Sequence, residues 1–356
     1  AVTNLMKFAG ALTRAEMEAT PDMADPTYVK RDERRFNRVG RLGISLDQGV
    51  GEHHRISAMA FVEPKYLQRS ERNTYRDFNR YHIGGSASYA WMTTFGPALA
   101  STLQMGIDEA YQDGSIQFYS LSASNFRGST LLQNKSEGAN TFGAFVQEEL
   151  RIDEDRRFVV GARFDYLRYQ SEDNMASRFN ASKEFKALTP KVGISWRVAE
   201  NHSVYASLGG GVEAPAFNEI DPQPSDSLTS LNPLLEPMTS TVVEAGVKGI
   251  TTLDGTSSIL EGVQYELAWY YLTVKNDLVP FGGGKWYFTA GKSHRSGVEA
   301  SVTARTPFGL SLLATLTAGS NVYDEYTNDV FGDLSGNKVA GLPDLFGGAR
   351  LRYTSP

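Results

Sequence analysis

The chain has 356 residues, which is enough for two average domains or for one large all-β domain. Its formal charge of −6 at pH 7 and its pI near 5.5 argue against binding to the phosphate backbone of nucleic acid. The absence of cysteine excludes disulfide bonds and thiolate metal sites. The longest nearly continuous apolar run, Leu267–Val274, is far shorter than the roughly 18 residues of a membrane-spanning helix.

Residues 1–35 show no sustained hydrophobic period and are rich in charged and small side chains, so we expect a long loop there. From residue 36 onward apolar and polar residues alternate, as in Pro190–Val198. This period of two is typical of strands with one apolar and one polar face. It predicts about 13 antiparallel strands, at residues 36–48, 54–64, 76–91, 99–114, 141–152, 158–170, 190–198, 203–208, 239–249, 263–279, 285–304, 310–322 and 344–353.

The connections between these strands alternate between short and long, with exceptions at 250–262 and 280–284. The long ones, which we predict to be loops, include residues 65–75, 115–138, 171–184 and 213–237. Long antiparallel strands with tight turns at one end and long loops at the other are typical of outer-membrane barrels, because in lipid every backbone N–H and C=O must pair within the sheet. We therefore predict an all-β, antiparallel transmembrane β-barrel with short periplasmic turns and long extracellular loops.

Charged side chains fall on one side of the alternation, opposite the apolar residues. They would be costly against lipid, so we expect them to face a wet barrel interior. This interior set is Arg163, Asp165, Lys191, Arg197, Glu244, Lys248 and Glu299. Solvation of the interior would by itself select polar residues here, so a more specific role stays open. Two aromatic girdles are predicted, with Trp91, Trp196 and Phe308 at the turn end and Tyr166, Phe281 and Tyr323 at the loop end.

Five stretches keep the order and residue types of one known family. The first is a pair of strands, FGAFVQEELRID at Phe142–Asp153 with VVGARFDY at Val159–Tyr166. The next two are LTPKVGISWRVAENHSVYASLGGGVEAPAFNEI at Leu188–Ile220 and LNPLLEPMTSTVVEAGVKG at Leu231–Gly249. The last two are FTAGKSHRSGVEASV and GNKVAGLPDLFGGARLRYT. Together they resemble the barrel of the TonB-dependent outer-membrane receptors, although in the third stretch Glu236-Pro237 stands in the reverse of the family's order.

The resemblance implies a barrel of about 22 strands around an N-terminal plug domain. Residues 1–356 would then be a partial barrel domain without the plug, with 1–35 as an extracellular loop and 36–353 as barrel strands and loops. The implied partners are outer-membrane lipid, the protein's own plug domain, and the TonB–ExbB–ExbD complex acting through that plug. The implied location is the outer membrane of a Gram-negative bacterium. For Arg163, Asp165, Glu244 and Glu299 of the interior set, the resemblance implies contact with the plug.

The family imports scarce, large ligands, and the resemblance favours a ferric siderophore. The protein itself is then expected to bind no cofactor, and an iron chelate would be its substrate. Two alternatives stay open: a receptor for a cobalamin-like or other small cofactor, and a passive porin without a plug.

Aromatic and basic residues at the predicted strand–loop junctions are candidates for ligand contact, because they suit a planar, anionic or metal-chelate ligand. Each of them could equally belong to a girdle or pack within a loop. This candidate set is Arg80, Tyr81, Tyr111, Arg168, Tyr169, Trp286, Tyr287 and His294.

No catalytic or metal-binding residue is predicted. His53 and His54 follow Glu52, but adjacent residues on a strand point to opposite faces, and we interpret them as part of a solvated turn. The glycine-rich stretches 209–211 and 282–284 lack the strand–helix context of a nucleotide-binding loop. An outer-membrane protease or phospholipase would need a nucleophile, a base and an orienting group close together, and no such set is indicated. We therefore predict that the protein is not an enzyme.

Overall fold

The computed structural model describes residues 1–71, 73–176, 180–215, 236–253, 259–281, 286–328 and 332–355. Two short helices, α1 (Arg14–Ala19) and α2 (Pro26–Lys30), accompany a large set of β-strands. The strands are β1 (Val2–Lys7), β2 (Arg34–Val39), β3 (Leu42–Val50), β4 (His54–Glu71), β5 (Thr74–Phe95), β6 (Leu99–Leu121), β7 (Arg127–Ile152), β8 (Arg156–Asp173), β9 (Ala181–Ala199), β10 (His202–Glu213), β11 (Met238–Thr252), β12 (Gly262–Phe281), β13 (Trp286–Arg305), β14 (Leu310–Glu325), β15 (Thr327–Asn328), β16 (Gly332–Asp333) and β17 (Leu345–Tyr353).

One antiparallel sheet contains every described strand except the small β15–β16 pair. Its order follows the chain from β4 to β14, and β17 pairs with β14. β2 and β3 both pair with β4 and are separated at Gly40, where the opposing Pro64 has no N–H to donate. If β2 and β3 count as one strand and β1 as an addition, 13 long strands remain in this 15-stranded sheet. The predicted all-β antiparallel fold is confirmed.

The strands extend well into three segments that the alternation assigns to loops, so the loop predictions for 65–75 and 115–138 were largely wrong, and β8 and β9 occupy both ends of 171–184. β6 continues to Leu121 and β7 begins again at Arg127. β7 has 26 residues, whereas about 9–11 residues of tilted strand cross a bilayer. Such hairpins project beyond any membrane band. There both faces meet water, so the apolar–polar alternation that identifies a strand in the sequence is lost.

At the opposite end of the sheet the turns are tight. Several begin or end on a residue with positive φ, such as Gly51, Gly96 and Asn201. In the turn between β7 and β8, Asp153 also has positive φ and its carboxylate accepts hydrogen bonds from the Arg156 side chain and from the N–H of Asp155. These contacts hold the pKa of Asp153 below its usual value, with Arg156 as the largest cause.

The first 33 residues contain β1 and both helices, where the sequence predicts only a loop. Thr13 begins α1 with a capping box, in which its hydroxyl accepts from the N–H of Glu16 and the Glu16 carboxylate accepts from the N–H of Thr13. β1 pairs with β2 at one edge of the sheet. Asn125, at the tip between β6 and β7, donates from its side chain to the carbonyl of Lys30. The segment is therefore attached to the strand hairpins at two places. Its extracellular position stays a prediction.

The cross-strand register sorts the side chains into two faces, because residues directly opposite each other in an antiparallel sheet point to the same side. On β6 to β9, one row is Ile107, Ala144, Phe164 and Leu188, and the next is Asp108, Gly143, Asp165 and Ala187. We call the face of the first row the apolar face and that of the second the polar face. Large apolar side chains on the apolar face are exposed, with Leu188 at 71%. Such a surface suits contact with lipid.

Neither of the two described helices is long and apolar enough to span a membrane. At the turn end, Trp91, Trp196 and Phe308 are all exposed, as a girdle would be. At the loop end, Tyr323 is buried against Tyr326 and Val339, so its assignment to a girdle was wrong. The side chain of Phe281 lies outside the described residues.

The neighbours Leu188 and Ala187 test the assignment of the faces, because they lie on opposite sides of β9. We expect Leu188→Lys to place a charge against lipid and to lower the free energy of unfolding in lipid vesicles by up to about 2–4 kcal/mol. Ala187→Lys, which adds a charge beside Asp165 on the polar face, should change it by less than about 1 kcal/mol. Urea titration followed by tryptophan fluorescence measures both. Equal losses in the two variants would contradict the assignment.

Candidate functional site

The polar face is the candidate functional surface of the sheet. The register places all seven residues of the predicted interior set on this face, distributed over β8, β9, β11 and β13. Opposite charges meet directly across neighbouring strands where Lys248 faces Glu266 and where Lys135 faces Asp173. The register does not itself test contact with a plug domain, which stays a prediction.

Arg163 connects three strands of this face. Its guanidinium donates to both carboxylate oxygens of Asp108, from Nη1 at 2.7 Å and from Nη2 at 3.0 Å, and its Nε donates to Asp165 at 2.8 Å. To reach Asp108 on β6 from β8, the side chain crosses β7 at Gly143. A Cβ atom at Gly143 would lie 2.6 Å from Cζ of Arg163. The missing side chain of Gly143 is therefore what allows this two-strand contact.

The same arrangement occurs nearer the end of the sheet that lies opposite the tight turns, where the hairpins extend furthest. We call this the long-strand end. Arg80 on β5 reaches Glu137 on β7 with Nη2 at 2.7 Å from the carboxylate, and it crosses β6 at Gly114. A Cβ atom at Gly114 would collide with Arg80. Lys135 also contacts Glu137, at 2.7 Å. Glu137 is 4% exposed, so a buried carboxylate is held between two cations.

Aromatic side chains of the polar face also lie over glycine. The ring of Tyr205 occupies the space beside Gly246, and the hydroxyl of Tyr270 occupies the space beside Gly297 and Gly319. Substituting any of these glycines would displace a ring or a strand. The polar face is thus built from long side chains that lie across glycine positions on neighbouring strands.

Two other members of the interior set have different surroundings. Arg197 lies at the turn end, where Nε contacts Asp155 at 2.7 Å and Nη2 contacts Glu154 at 3.7 Å. It is therefore tied to the turn between β7 and β8. The Lys248 ammonium lies 5.7 Å from the centre of the Tyr205 ring, a cation–π distance.

At the long-strand end, Tyr169 is buried on the polar face. Its ring packs edge-on against Phe185 at 5.9 Å, and its hydroxyl donates to the carbonyl of Pro215. A cavity of about 160 Å³ lies beside this pair and is lined in part by Arg163, Asp165 and Phe185. Of the eight candidate ligand residues, Tyr169 and Arg80 are the two that the register clearly places on the polar face.

Four other candidates lie on the apolar face. Tyr81 and Tyr111 are ring neighbours with centroids 6.2 Å apart, and both hydroxyls contact Asp113 at 3.3 Å. Arg168 contacts Glu184 at 3.9 Å, and His294 contacts Asp324 at 2.6 Å and stacks on Tyr271. The structure therefore does not bring these four residues together with Arg80 and Tyr169. Their surroundings match the alternative role as interface residues.

Trp286 and Tyr287 begin β13, opposite Phe281 and Pro280 of β12. The side chain of Trp286 lies outside the described residues, and Tyr287 is half-buried. The predicted contact of both residues with a ligand stays a prediction.

The sequence did not point to Lys135 and Glu137, because their segment, 115–138, is predicted to be a loop. It also did not point to Asp277, which lies within the predicted strand 263–279. Asp277 is 8% exposed and accepts hydrogen bonds from Ser293 at 2.9 Å and Arg295 at 3.1 Å. The two-residue spacing of Lys135 and Glu137 is the signal that could have extended β7.

Metal ligands are not grouped on this face. Among the residues that the structure describes, no three His, Asp or Glu side chains are positioned to hold a metal ion. Beyond the sheet, the turn before β2 holds Asp32 next to Lys7, at 3.1 Å, and next to Arg34. The hydrogen bond with Lys7 is the largest cause that lowers the pKa of Asp32.

Comparison with known proteins identifies one family. A family model described as TonB dependent receptor-like, beta-barrel, matches residues 22–356. The chain is similar to the solved ferric citrate transporter FecA, in its unliganded form, with 15% sequence identity, a TM-score of 0.77, and coverage of 97% of this chain and 50% of that one. No curated protein matches the sequence.

Two further solved structures are similar. The ferric-catecholate import receptor Fiu from E. coli K12, in a closed form, shares 13% identity with a TM-score of 0.66 and coverage of 90% and 52%. The ferric yersiniabactin uptake receptor FyuA from Yersinia pestis shares 14% identity with a TM-score of 0.65 and coverage of 90% and 48%. The chain spans about half the length of these solved chains, and at such identities the likeness shows the fold alone.

Gly143 and Gly193 provide a matched test of how the polar face is assembled. We expect Gly143→Ala to displace the guanidinium of Arg163 and to lower the free energy of unfolding by about 1–3 kcal/mol. At Gly193, where a Cβ atom would have 3.8 Å of clearance, the same change should stay within about 0.5 kcal/mol of wild type. In an Arg163→Ala background the cost at Gly143 should largely disappear. Urea unfolding measures these free energies. If Gly143→Ala costs the same with and without Arg163, the Arg163 side chain does not cross β7 at Gly143.

Proposed function

Because the chain belongs to the TonB-dependent receptor-like β-barrel family, we propose that it is part of the barrel of an outer-membrane receptor that imports an iron chelate. The match of residues 22–356 to the family model is the observation that carries this proposal. The family is one of transport receptors and not of enzymes. The proposed location is the outer membrane of a Gram-negative bacterium, with the exposed apolar face in lipid.

A ferric siderophore is the proposed ligand. The solved relatives support this choice, since those named above are a ferric citrate transporter, a ferric-catecholate import receptor and a ferric yersiniabactin uptake receptor. The described residues also suit the chemistry of such ligands. Arg80 places a cation at the long-strand end of the polar face, where charge can act on a chelate, and the buried ring of Tyr169 lies on the same face.

The proposed mechanism assigns the chain the wall of the transport path. The long hairpins and the connections between them capture the chelate at the cell surface. The protein's own plug domain closes the barrel, and the TonB–ExbB–ExbD complex acts through the plug to open a path along the wall. In this proposal Arg163, Asp165, Glu244 and Glu299 contact the plug from the polar face. Lys191, Arg197 and Lys248 line the same wall.

The experiment uses the full-length protein in outer membranes. Ferric citrate, a ferric catecholate and a neutral ferric trihydroxamate are offered as radioactive iron complexes, with cobalamin as an iron-free ligand. We expect saturable binding of one iron chelate, with uptake that stops when the proton motive force is dissipated. Arg80→Gln should weaken binding of an anionic chelate by about tenfold, because it removes a charge-assisted contact. Asn79→Ala, on the apolar face of the same strand, should leave binding unchanged.

Other outcomes assign other functions. Saturable binding of cobalamin alone would replace the iron chelate by a cofactor as ligand. No saturable binding, together with steady ion conductance in planar bilayers, would reject the receptor and leave a passive porin.

A further inference from the structure

Two histidines beside the tight turns are built into the apolar face of the sheet. His54 is the first residue of β4, and His202 is the first residue of β10. The register places both side chains on the apolar face, and both are half-buried. The sequence predicts a solvated turn at His54, whereas the structure makes it part of the sheet. A polar ring on a face that otherwise suits lipid needs a physical reason.

Each of these histidines pairs with a tyrosine of the same face. Nδ1 of His54 lies 2.7 Å from the hydroxyl of Tyr89, and the two rings are stacked with centroids 5.8 Å apart. Nδ1 of His202 lies 3.0 Å from the hydroxyl of Tyr265, again with centroids 5.8 Å apart. His202 reaches Tyr265 across Gly249, where a Cβ atom would collide with the imidazole. The same pair is therefore formed twice, in separate parts of the sheet.

The direction of these hydrogen bonds decides what the histidines can offer. A neutral imidazole carries one N–H donor and one acceptor nitrogen. No other described residue accepts from the hydroxyl of Tyr89, so that hydroxyl donates to Nδ1 of His54, and Nε2 carries the hydrogen. Within the described part of the chain nothing accepts from this Nε2. Nε2 of His202 has only the hydroxyl of Thr251, at 3.5 Å, which is beyond the usual range of a hydrogen bond.

An exposed tryptophan accompanies each pair. Trp91 lies directly opposite His54 and is 43% exposed. Trp196 is 52% exposed and lies opposite Val204, which is two residues from His202 on the same face of β10. The indole N–H can only donate, and neither indole has an acceptor among the described residues. We call His54–Tyr89–Trp91 and His202–Tyr265–Trp196 the turn-end trios.

The trios lie at the border of the surface that suits lipid. On the side away from the turns, the next residues of the same face are Ile56 after His54 and Ile194 beyond Trp196, and both are exposed. The donors therefore stand where contact with acyl chains ends and the turns begin. Tyrosine and tryptophan favour this level of a membrane, because one end of the ring is apolar and the other is polar. A phospholipid presents its phosphate and ester oxygens here, and all of them are acceptors.

We propose that each turn-end trio binds the phosphate group of one phospholipid in the membrane leaflet on the side of the tight turns. The inference goes beyond ligand import and rests on the proposed function only for the orientation of the apolar face in lipid. The imidazole Nε2–H and the indole N–H donate to phosphate oxygens, and such charge-assisted hydrogen bonds are strong. The tyrosine hydroxyl holds the histidine in the tautomer that donates from Nε2. The acyl chains then lie along the apolar face.

The histidine at the long-strand end provides a contrast. His294 also lies on the apolar face and stacks on a tyrosine, Tyr271, with centroids 5.8 Å apart. Its Nδ1 contacts the carboxylate of Asp324 at 2.6 Å, where each trio has a neutral hydroxyl. A carboxylate beside the ring repels a phosphate. His294 thus keeps the stacking of the trios and lacks their suitability for an anionic headgroup.

The test uses the full-length protein in detergent micelles, titrated with phosphatidylglycerol, with bound lipid counted by native mass spectrometry. We expect wild type to retain one phospholipid at each trio. His54→Phe and His202→Phe keep an aromatic ring and remove the Nε2 donor, so each should weaken one site by about fivefold. The double variant should weaken both sites. His294→Phe, the matched control, should bind phosphatidylglycerol as wild type does, and thermal melting verifies that every variant is folded.

The lipid used separates headgroup recognition from apolar contact. Diacylglycerol with the same acyl chains lacks the phosphate and should not be retained. Equal retention of diacylglycerol, equal affinity of wild type and both trio variants, or an equal loss in His294→Phe would overturn the inference. Displacement of the lipid by millimolar inorganic phosphate would also overturn it, because the site would then be one for a free anion.

The outcomes for the lipid site and for import are independent. The trios lie on the apolar face, so both trio variants should bind and import an iron chelate as wild type does. Retention of phosphatidylglycerol at both trios, without uptake of any chelate, would support the lipid sites and reject the receptor. Normal uptake with no difference in lipid retention between wild type and the trio variants would reject the lipid sites and leave the receptor.

Discussion

Backbone pairing is the constraint on which this structure depends. A strand in lipid must satisfy every N–H and C=O within the sheet, and each described long strand between β4 and β14 has a partner on both sides. Proline shows how strict this pairing is. Pro64 has no N–H, and the ladder between β4 and its neighbour is broken opposite it, where β2 ends and β3 begins. The break lies between two paired segments, so the long strand keeps its direction and its register.

Once the ladder is fixed, side chains can reach a second strand only where the strand between is free of a side chain. Gly143 and Gly114 supply that gap for Arg163 and Arg80. Each crossing joins strands that are not neighbours in the ladder, so the glycines turn a set of hairpins into one cross-linked polar surface. This is a different use of glycine from its use in tight turns, where Gly96 provides a positive φ.

The alternation in the sequence predicted the number of strands, their antiparallel order and the common face of the seven charged residues, because burial against lipid imposes a strict period of two. It did not predict the upper extent of β6 and β7, since beyond the membrane band both faces are wet. The alternation also could not show that Tyr81 belongs to the apolar face and Arg80 to the polar face, because both residues lie near the end of a predicted strand. That distinction requires the register, which pairs Tyr81 with Asp113 and Arg80 with Gly114.

The register also shows how charges balance each other within the sheet. Lys248 faces Glu266, and Arg163 lies between two aspartates, so these groups balance each other within the sheet. Arg35, Arg69 and Arg76 lie directly opposite one another, and the Glu71 carboxylate lies 3.4 Å from Arg69 and 3.8 Å from Arg76. Like charges at opposite positions destabilise a sheet, so the carboxylate beside them offsets part of their repulsion.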